Sequence, residues 1–408
     1  MTRFAPTNTD ELRDAVATAL AVEEPVEIVA GGSKRGLGRP LQTPHLLDLS
    51  QLSGIREYEP SELVLTTGAA TPLAEIEAAL AENNQMFAFE PPDWRALLGT
   101  PDEETAGPTL GGVLACNLAG PRRVKAGAAR DHFLGFRAVS GRAEAFKAGG
   151  KVVKNVTGYD LCKLLAGSYG TLAALEEVTV KVLPRPETVA TVLFSGLEPA
   201  AAVRLMSAAL ASPHEVSGAA YLPAGTAMPL VLSLRPGMVA LRLEGPAPSV
   251  AFRRDALAAE HKAAAAEFLG ESESTVFWRA IGEAAPLAGL GERAAWRISV
   301  APSRGAELAE AVGRALDAVW FLDWGGGLIW AAVPEEGDAG AEAIRKAIRG
   351  TDGGGTGHAT LVRASPALRR AVPVFEPQPP GLAALSRRVK EAFDPRHILN
   401  PGRIAEGI

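Results

Sequence analysis

Three stretches of this 408-residue chain carry residue types whose spacing could do chemistry. The first is Gly31-Gly32-Ser33-Lys34-Arg35-Gly36-Leu37-Gly38, directly after the extended run 26–30. A strand that breaks into glycines lets successive backbone N–H groups converge on an anion, and Lys34 and Arg35 add positive charge. The second is 109–121, where no large side chain stands at Gly111, Gly112, Ala115, Ala119 or Gly120. Backbone this bare approaches a flat or polyanionic ligand closely. The third runs Lys154-Asn155-Val156-Thr157-Gly158-Tyr159-Asp160 and leads to the turn Gly167-Ser168-Tyr169-Gly170-Thr171. Each stretch by itself fits a packed turn equally well; together they point to a bound dinucleotide. The first loop is not a Walker A motif, since G-x-x-x-x-G-K-[ST] is absent, and it opens no helix, because Pro40 and the extended 46–49 follow. A phosphate loop between two strands is the expectation.

The elements that must position these loops follow from periodicity and punctuation. Thr9 or Asp10 caps a helix to residue 22, with Leu12, Val16 and Leu20 on one face. Strands are expected at 26–30, 46–49 and 63–68, then a helix from Thr71-Pro72 to Leu80. Residues 87–92 are extended into Pro91-Pro92. The run 133–139 alternates as a strand, and 143–148 ends at Gly149-Gly150, read as a hairpin tip. A short helix precedes the 167–171 turn, a strand covers 174–183, and 184–198 reads as a linker. Beyond it, strands are expected at 228–234, 238–243, 295–300, 327–333 and 360–363. Helices are expected at 200–210, 250–268, 304–316, 340–348 and 382–393, and 353–358 reads as a loop. This predicts an α+β second domain with an antiparallel sheet.

Bulk properties exclude whole classes. With 47% apolar and 22% charged residues the composition is that of an ordinary globular protein, and the length predicts two or three domains. A net charge of −6 with no basic stripe argues against nucleic acid. Two cysteines, Cys116 and Cys162, cannot build an iron–sulfur or cysteine-rich zinc site and point to a reducing compartment. No run of about 18 apolar residues is present, and residues 1–6 lack a signal-peptide core. A cytoplasmic protein is expected.

The spaced motifs resemble a known family. Gly111-Gly112-x-x-Ala115-x-Asn117, Gly120-Pro121-Arg122, Arg130-Asp131, Leu134-Gly135 and Lys154-Asn155-Val156-x-Gly158-Tyr159-Asp160 are similar to the FAD-binding domain of vanillyl-alcohol-oxidase-like (PCMH-type) flavoproteins. Gly167-Ser168-x-Gly170-Thr171-Leu172, Pro184-Arg185-Pro186 and Phe393-Asp394-Pro395-Arg396-His397-Ile398-Leu399-Asn400-Pro401-Gly402-Arg403 extend the match. Within that group the pattern most resembles the FAD-binding E subunits of bacterial glycolate oxidases, well over about 20–187 and 385–405 and weakly over 190–375.

The resemblance implies a two-lobed FAD domain over 1–187, an α+β cap of ferredoxin-like units over 188–375, and a segment 376–408 returning to the FAD domain. It maps Gly31, Gly32, Ser33, Lys34, Arg35 and Gly36 onto the pyrophosphate loop. Pro91, Thr109, Gly111, Gly112, Ala115, Cys116, Asn117 and Gly120 fall on the flavin-facing loop, and Gly170 and Val178 on the adenine side. The family's covalent flavin links use His or Cys in these loops, and 31–38 has neither, so non-covalent FAD is expected; Cys116 reads as filler. His358 is the cap histidine that invites a proton-abstracting role beside the flavin. The paired-histidine metal site of related D-2-hydroxyacid dehydrogenases has no counterpart in the scattered His45, His132, His214, His261, His358 and His397, so no metal is expected. The implied function is the FAD subunit of a complex oxidising glycolate or D-lactate. A larger catalytic flavoprotein and an iron–sulfur subunit would be its partners, and through them the chain would meet the inner membrane face. The competing reading is an assembly and electron-relay subunit whose FAD never meets substrate.

Overall fold

The helix Thr9–Val22 is fixed at its start by Asn8, whose side chain accepts from Glu11 N at 3.0 Å. In the computed structural model, which describes residues 2–100, 105–151, 158–228, 237–261, 266–350 and 355–408, this helix buries Leu12, Val16 and Ala19. Leu12 and Val16 each contribute roughly 1.5–3 kcal/mol on full burial. They pack with Val26, Leu47 and Leu49 of a small parallel sheet ordered Thr2–Phe4, His45–Asp48, Val26–Val29. A second, antiparallel sheet runs Ile55–Glu59, Val64–Gly68, Ala173–Lys181, Phe133–Ser140, Ala145–Gly149. These two sheets are the two halves of the N-terminal lobe.

The other large unit is one antiparallel eight-stranded sheet. Its order is Ala266–Leu269, Thr188–Ser195, Met238–Gly245, Gly218–Leu222, Val319–Asp323, Leu328–Pro334, Arg293–Val300, Gly357–Arg363. Chain order within each half is strand–helix–strand–strand–helix–strand, the ferredoxin-like arrangement, and the halves meet where Tyr221 faces Leu322. Helices Pro199–Ala211, Ala247–Glu260, Gly305–Leu316 and Ala341–Arg349 cover one face through Met206, Leu257, Val312 and Ile344. The opposite face, with Leu193, Phe321, Leu328 and Trp330, shares a continuous core with Leu110, Val113 and Val178 of the N-terminal lobe.

Several sequence expectations need correction. Residues 188–195 form a fully paired inner strand where a linker was expected; flanking Pro184 and Pro186 mask the β-branched Thr188, Val189, Thr191 and Val192. The helix expected over 250–268 ends at Glu260, and Ala266–Leu269 is an edge strand. Gly149-Gly150 is not a hairpin tip: Gly149 pairs with Gly135, and the turn is made where Ser140 N donates to Glu144 O. The bare tract 109–121 is a helix over Leu110–Cys116, not a loop. His358 lies in the strand Gly357–Arg363. The motif at 154–157 and most of the strand expected at 228–234 lie outside the described residues. Among the described residues no helix is long and apolar enough to cross a membrane.

The C-terminal helix Pro380–Phe393 returns the chain to the N-terminal lobe. Leu399 bridges Val26 in parallel, extending the small sheet by one position.

Candidate cofactor cleft and the cap face beside it

A cleft opens where three bare backbone segments converge. They are the loop after Val26–Val29, the first turns of Leu110–Cys116, and the turn Ser168-Tyr169-Gly170. Thr109 caps the helix by accepting from Gly112 N at 3.3 Å. That bond and tertiary packing hold a helix that two interior glycines disfavour.

The glycines divide by what a side chain would meet. A Cβ on Gly31 would lie 2.0 Å from Gly107 O, and one on Gly111 would lie 2.6 Å from Ala69 O. Those two are glycines because backbone packs against backbone. A Cβ on Gly112 would point at Thr109 Oγ1 (3.2 Å) and Lys34 Cδ (3.6 Å), toward the lumen.

Lys34 is the cation of this cleft. Its Nζ reaches Ser33 Oγ at 3.2 Å, and among the described residues it makes no salt bridge. Burial pushes its pKa down to about 8, outweighing the longer-range attraction of Asp93. Arg35 differs: its guanidinium is spent on Glu27, with Nε to Oε1 at 3.0 Å, and Arg403 shares that carboxylate at 3.1 Å. At the other end, burial raises the Cys116 thiol to about 11 and pushes the Tyr169 phenol well above its ordinary value. Asn400 ties the walls together, accepting from Ile28 N and donating to Tyr169 O, both at 2.8 Å. Bare backbone beside an ammonium suits a flat polyanionic ligand.

Of the residues named from sequence, Gly31, Gly32, Ser33, Lys34, Arg35, Thr109, Gly111, Gly112, Ala115, Cys116 and Gly170 line this cleft. The others do not. Gly36 sits behind the loop, its carbonyl accepting from Arg369. Asn117 is the left-handed C-cap of the helix, its Oδ1 accepting from Arg130 N at 3.0 Å. Gly120 packs on Glu90, Val178 is buried between Thr67 and Phe136, and Pro91 lines a separate cavity. Ala69, Ala70, Tyr169, Asn400 and Arg403 line the cleft without having been named as site residues. Asn400 and Arg403 stood inside a quoted C-terminal motif, but their reach back across the chain is visible only in the fold.

His358 is not a lining residue. It faces Ser299 in register, while Arg297 faces Trp330 on one side and Thr360 on the other. Opposed residues share a sheet face, so Arg297, Ser299 and His358 lie on the face that meets the N-terminal lobe, with Arg297 and His358 roughly 7–8 Å apart on the diagonal. Desolvation, then Arg297, holds the His358 imidazole below its ordinary value, so it is neutral at pH 7.

The lobe and the cap are clamped by a crossed set of ions. Arg122 of the lobe grips Glu244 of the cap (Nε 3.0 Å, Nη2 2.6 Å), and cap Arg242, 2% exposed, grips lobe Glu90 (2.6 and 3.1 Å). Burial pushes the Glu244 carboxyl up, but Arg242 and the paired Arg122 outweigh it and hold it at about 2, against an ordinary 4.5. A folded value below the unfolded one gives stability that is complete above the unfolded pKa and lost as pH falls through the folded one. That difference corresponds to roughly 3 kcal/mol. Unfolding free energy is therefore expected to fall between pH 4.5 and 2, and Glu244→Gln to flatten that part of the profile. An unchanged profile in Glu244→Gln removes this clamp from the account.

Comparisons with known proteins agree with this architecture. Residues 3–149 match the family model described as FAD binding domain, and 375–404 the one described as FAD linked oxidases, C-terminal domain. Glycolate oxidase subunit GlcE of Escherichia coli is 34% identical over 394 residues, covering 96% of each chain. D-lactate dehydrogenase of Archaeoglobus fulgidus is 31% identical over 198 residues, 48% of this chain and 42% of that one. Among solved structures, p-cresol methylhydroxylase superposes with a TM-score of 0.69 at 14% identity, covering 99% of this chain and 88% of that one, which shows a shared fold. A two-lobed FAD-binding domain joined to an α+β cap, matched end to end by one such subunit, makes this chain an FAD-dependent oxidoreductase-family protein belonging to the glycolate oxidase GlcE family.

Proposed function

We propose that this chain is the FAD-carrying subunit of a complex that oxidises a small 2-hydroxy acid, glycolate or D-lactate, to the 2-oxo acid. The observation that carries the reading is the convergence of three bare backbone segments on Lys34, an ammonium that makes no salt bridge among the described residues and that a pyrophosphate would neutralise. Gly31 to Arg35 hold the phosphates, while Gly111, Gly112, Ala115 and Tyr169 bound the ring system. Attachment is non-covalent: among the described residues no histidine lines the cleft, and the lining thiol Cys116 is kept protonated by burial. The division is FAD domain 1–187, cap 188–375 and returning segment 376–408, supported by the cap sheet that opens at Thr188.

When bound, FAD supplies the two-electron acceptor for the hydride leaving the substrate α-carbon. The chain's share is to orient the substrate, exclude water and take the hydroxyl proton. Neutral His358, on the cap face beside Arg297, serves as proton acceptor. A larger flavoprotein and an iron–sulfur subunit receive the electrons, and any membrane contact is made through them.

The test is anaerobic mixing of the flavin-loaded chain with glycolate or D-lactate. Bleaching of the flavin band within one turnover time is expected, with an acid limb that His358→Gln removes. Bleaching seen only after partner subunits are added would reassign this flavin to electron relay and assembly.

A further inference from the structure

Two guanidiniums converge on one indole at the junction of lobe and cap. Arg123, in the lobe helix Arg123–Ala126, lies 4.3 Å from the Trp324 ring centroid; Arg297, on the cap strand Arg293–Val300, lies 4.8 Å from it. Among the described residues neither guanidinium makes a hydrogen bond or a salt bridge, and Arg297 Nε is buried without a partner. Both are half-buried, and the fully buried arginines differ in that each holds an acceptor, although Arg369 Nε is likewise unpartnered. Arg242 holds Glu90, Arg363 holds the Leu97, Leu287 and Leu290 carbonyls, and Arg369 holds those of Gly36 and Gly38.

Contact with a ring face returns only part of the hydration that a guanidinium loses on burial. Desolvation accordingly lowers both groups, Arg297 to about 10, and Arg123 lowers Arg297 further. The nearby acids are committed elsewhere. Asp323 caps Trp324 N at 2.7 Å and is raised by burial to about 7; Asp131 accepts from Ala128 N; Glu376 accepts from Ala359 N. What the site lacks is an anion.

Its position makes that anion a substrate group. Trp324 Nε1 donates to Gly120 O at 3.2 Å, at the end of the tract whose beginning lines the cleft. Tyr169, a lining residue, is electrostatically coupled to Arg297. We propose that Arg123 and Arg297 together hold the carboxylate of the 2-hydroxy acid against Trp324, one arginine from each side of the lobe–cap junction. The assignment rests on FAD occupying the cleft. Both arginines are substrate-binding residues, and the site is complete only when lobe and cap are docked.

The probe is oxalate, a small carboxylate that cannot be oxidised to a 2-oxo acid. It is titrated calorimetrically into the full chain as purified, with FAD content read by absorbance in the same samples. The wild type is expected to bind oxalate, with competition by glycolate. Arg297→Met and Arg123→Met should each weaken binding at least tenfold at unchanged FAD content, and Arg297→Lys should recover part of the loss. Melting temperature should stay level or rise in Arg297→Met, since a half-buried charge with no partner is removed, whereas a purely structural arginine would lower it. Should Arg297→Met fail to fold, Arg123→Met carries the same reading. FAD present with oxalate binding absent, or equal in all variants, overturns the carboxylate site and leaves the flavin reading standing. Oxalate bound and lost in the variants, but with no FAD ever retained, keeps the anion site and sinks the flavin reading.

Discussion

Gly112→Val is expected to give a folded chain that purifies without flavin. The reason lies in what surrounds three of the cleft's glycines. Side chains at Gly31 or Gly111 would drive into the Gly107 or Ala69 carbonyl, so loss of flavin there would report a broken lobe. At Gly112 the nearest atoms are the Thr109 hydroxyl at 3.2 Å and the flexible Lys34 side chain at 3.6 Å, and the backbone is helical. Valine is also a better helix residue than glycine, which offsets part of any local strain. Its methyl groups instead occupy the space in front of the helix and displace Lys34. A loss of at least a hundredfold in FAD affinity, about 2.7 kcal/mol, is the expected size. Absorbance measures flavin per chain, and circular dichroism checks the fold. Full flavin content in a folded Gly112→Val chain would move the ring system away from this helix.

That glycine stands where the sequence pattern and the fold meet, and where the pattern stops. The cleft loops were legible because bare backbone next to a strand is itself the chemical feature, and Gly31 to Arg35 lie at the cleft as a block. The helix Leu110–Cys116 was not, because Gly111 and Gly112 argue against a helix; it forms through the Thr109 cap and a wall of Leu110, Val113 and Leu114 packed into the lobe. The cap architecture was legible as an α+β alternation, whereas Thr188–Ser195 was hidden by its proline neighbours. Arg123 and Arg297 carried no local signal at all, and Trp324 read only as a core or interface tryptophan. Lone arginines in separate domains gain meaning only when the fold leaves them together without a carboxylate.

The same logic gives the returning C-terminal segment a larger role than a helix stop. Lys390 is fully buried, and its ammonium donates to Asp394 Oδ2 (2.6 Å), Thr171 O (2.6 Å) and Leu399 O (2.9 Å). Asp394 also accepts from Ile398 N at 3.0 Å and Leu399 N at 2.8 Å, so one carboxylate neutralises a buried cation and folds the segment behind it. Burial pushes the Lys390 pKa down, and Asp394 opposes that fall. Asp394→Ala therefore leaves a buried ammonium unpaired and two backbone donors unsatisfied, at an expected cost of about 3–5 kcal/mol. The damage spreads along a defined route. Leu399 is bridged to Val26, and Asn400 holds both Ile28 and Tyr169, so loosening residues 398–400 opens two walls of the cleft. Urea unfolding should show the destabilisation, and FAD should dissociate faster from whatever chain remains folded. In the double variant Lys390→Met, Asp394→Ala no ammonium is left to bury, so it should recover part of the stability lost by Asp394→Ala alone. If the double variant is as unstable as the single one, the backbone donors of Ile398 and Leu399, and not the buried ion pair, hold this end of the chain in place.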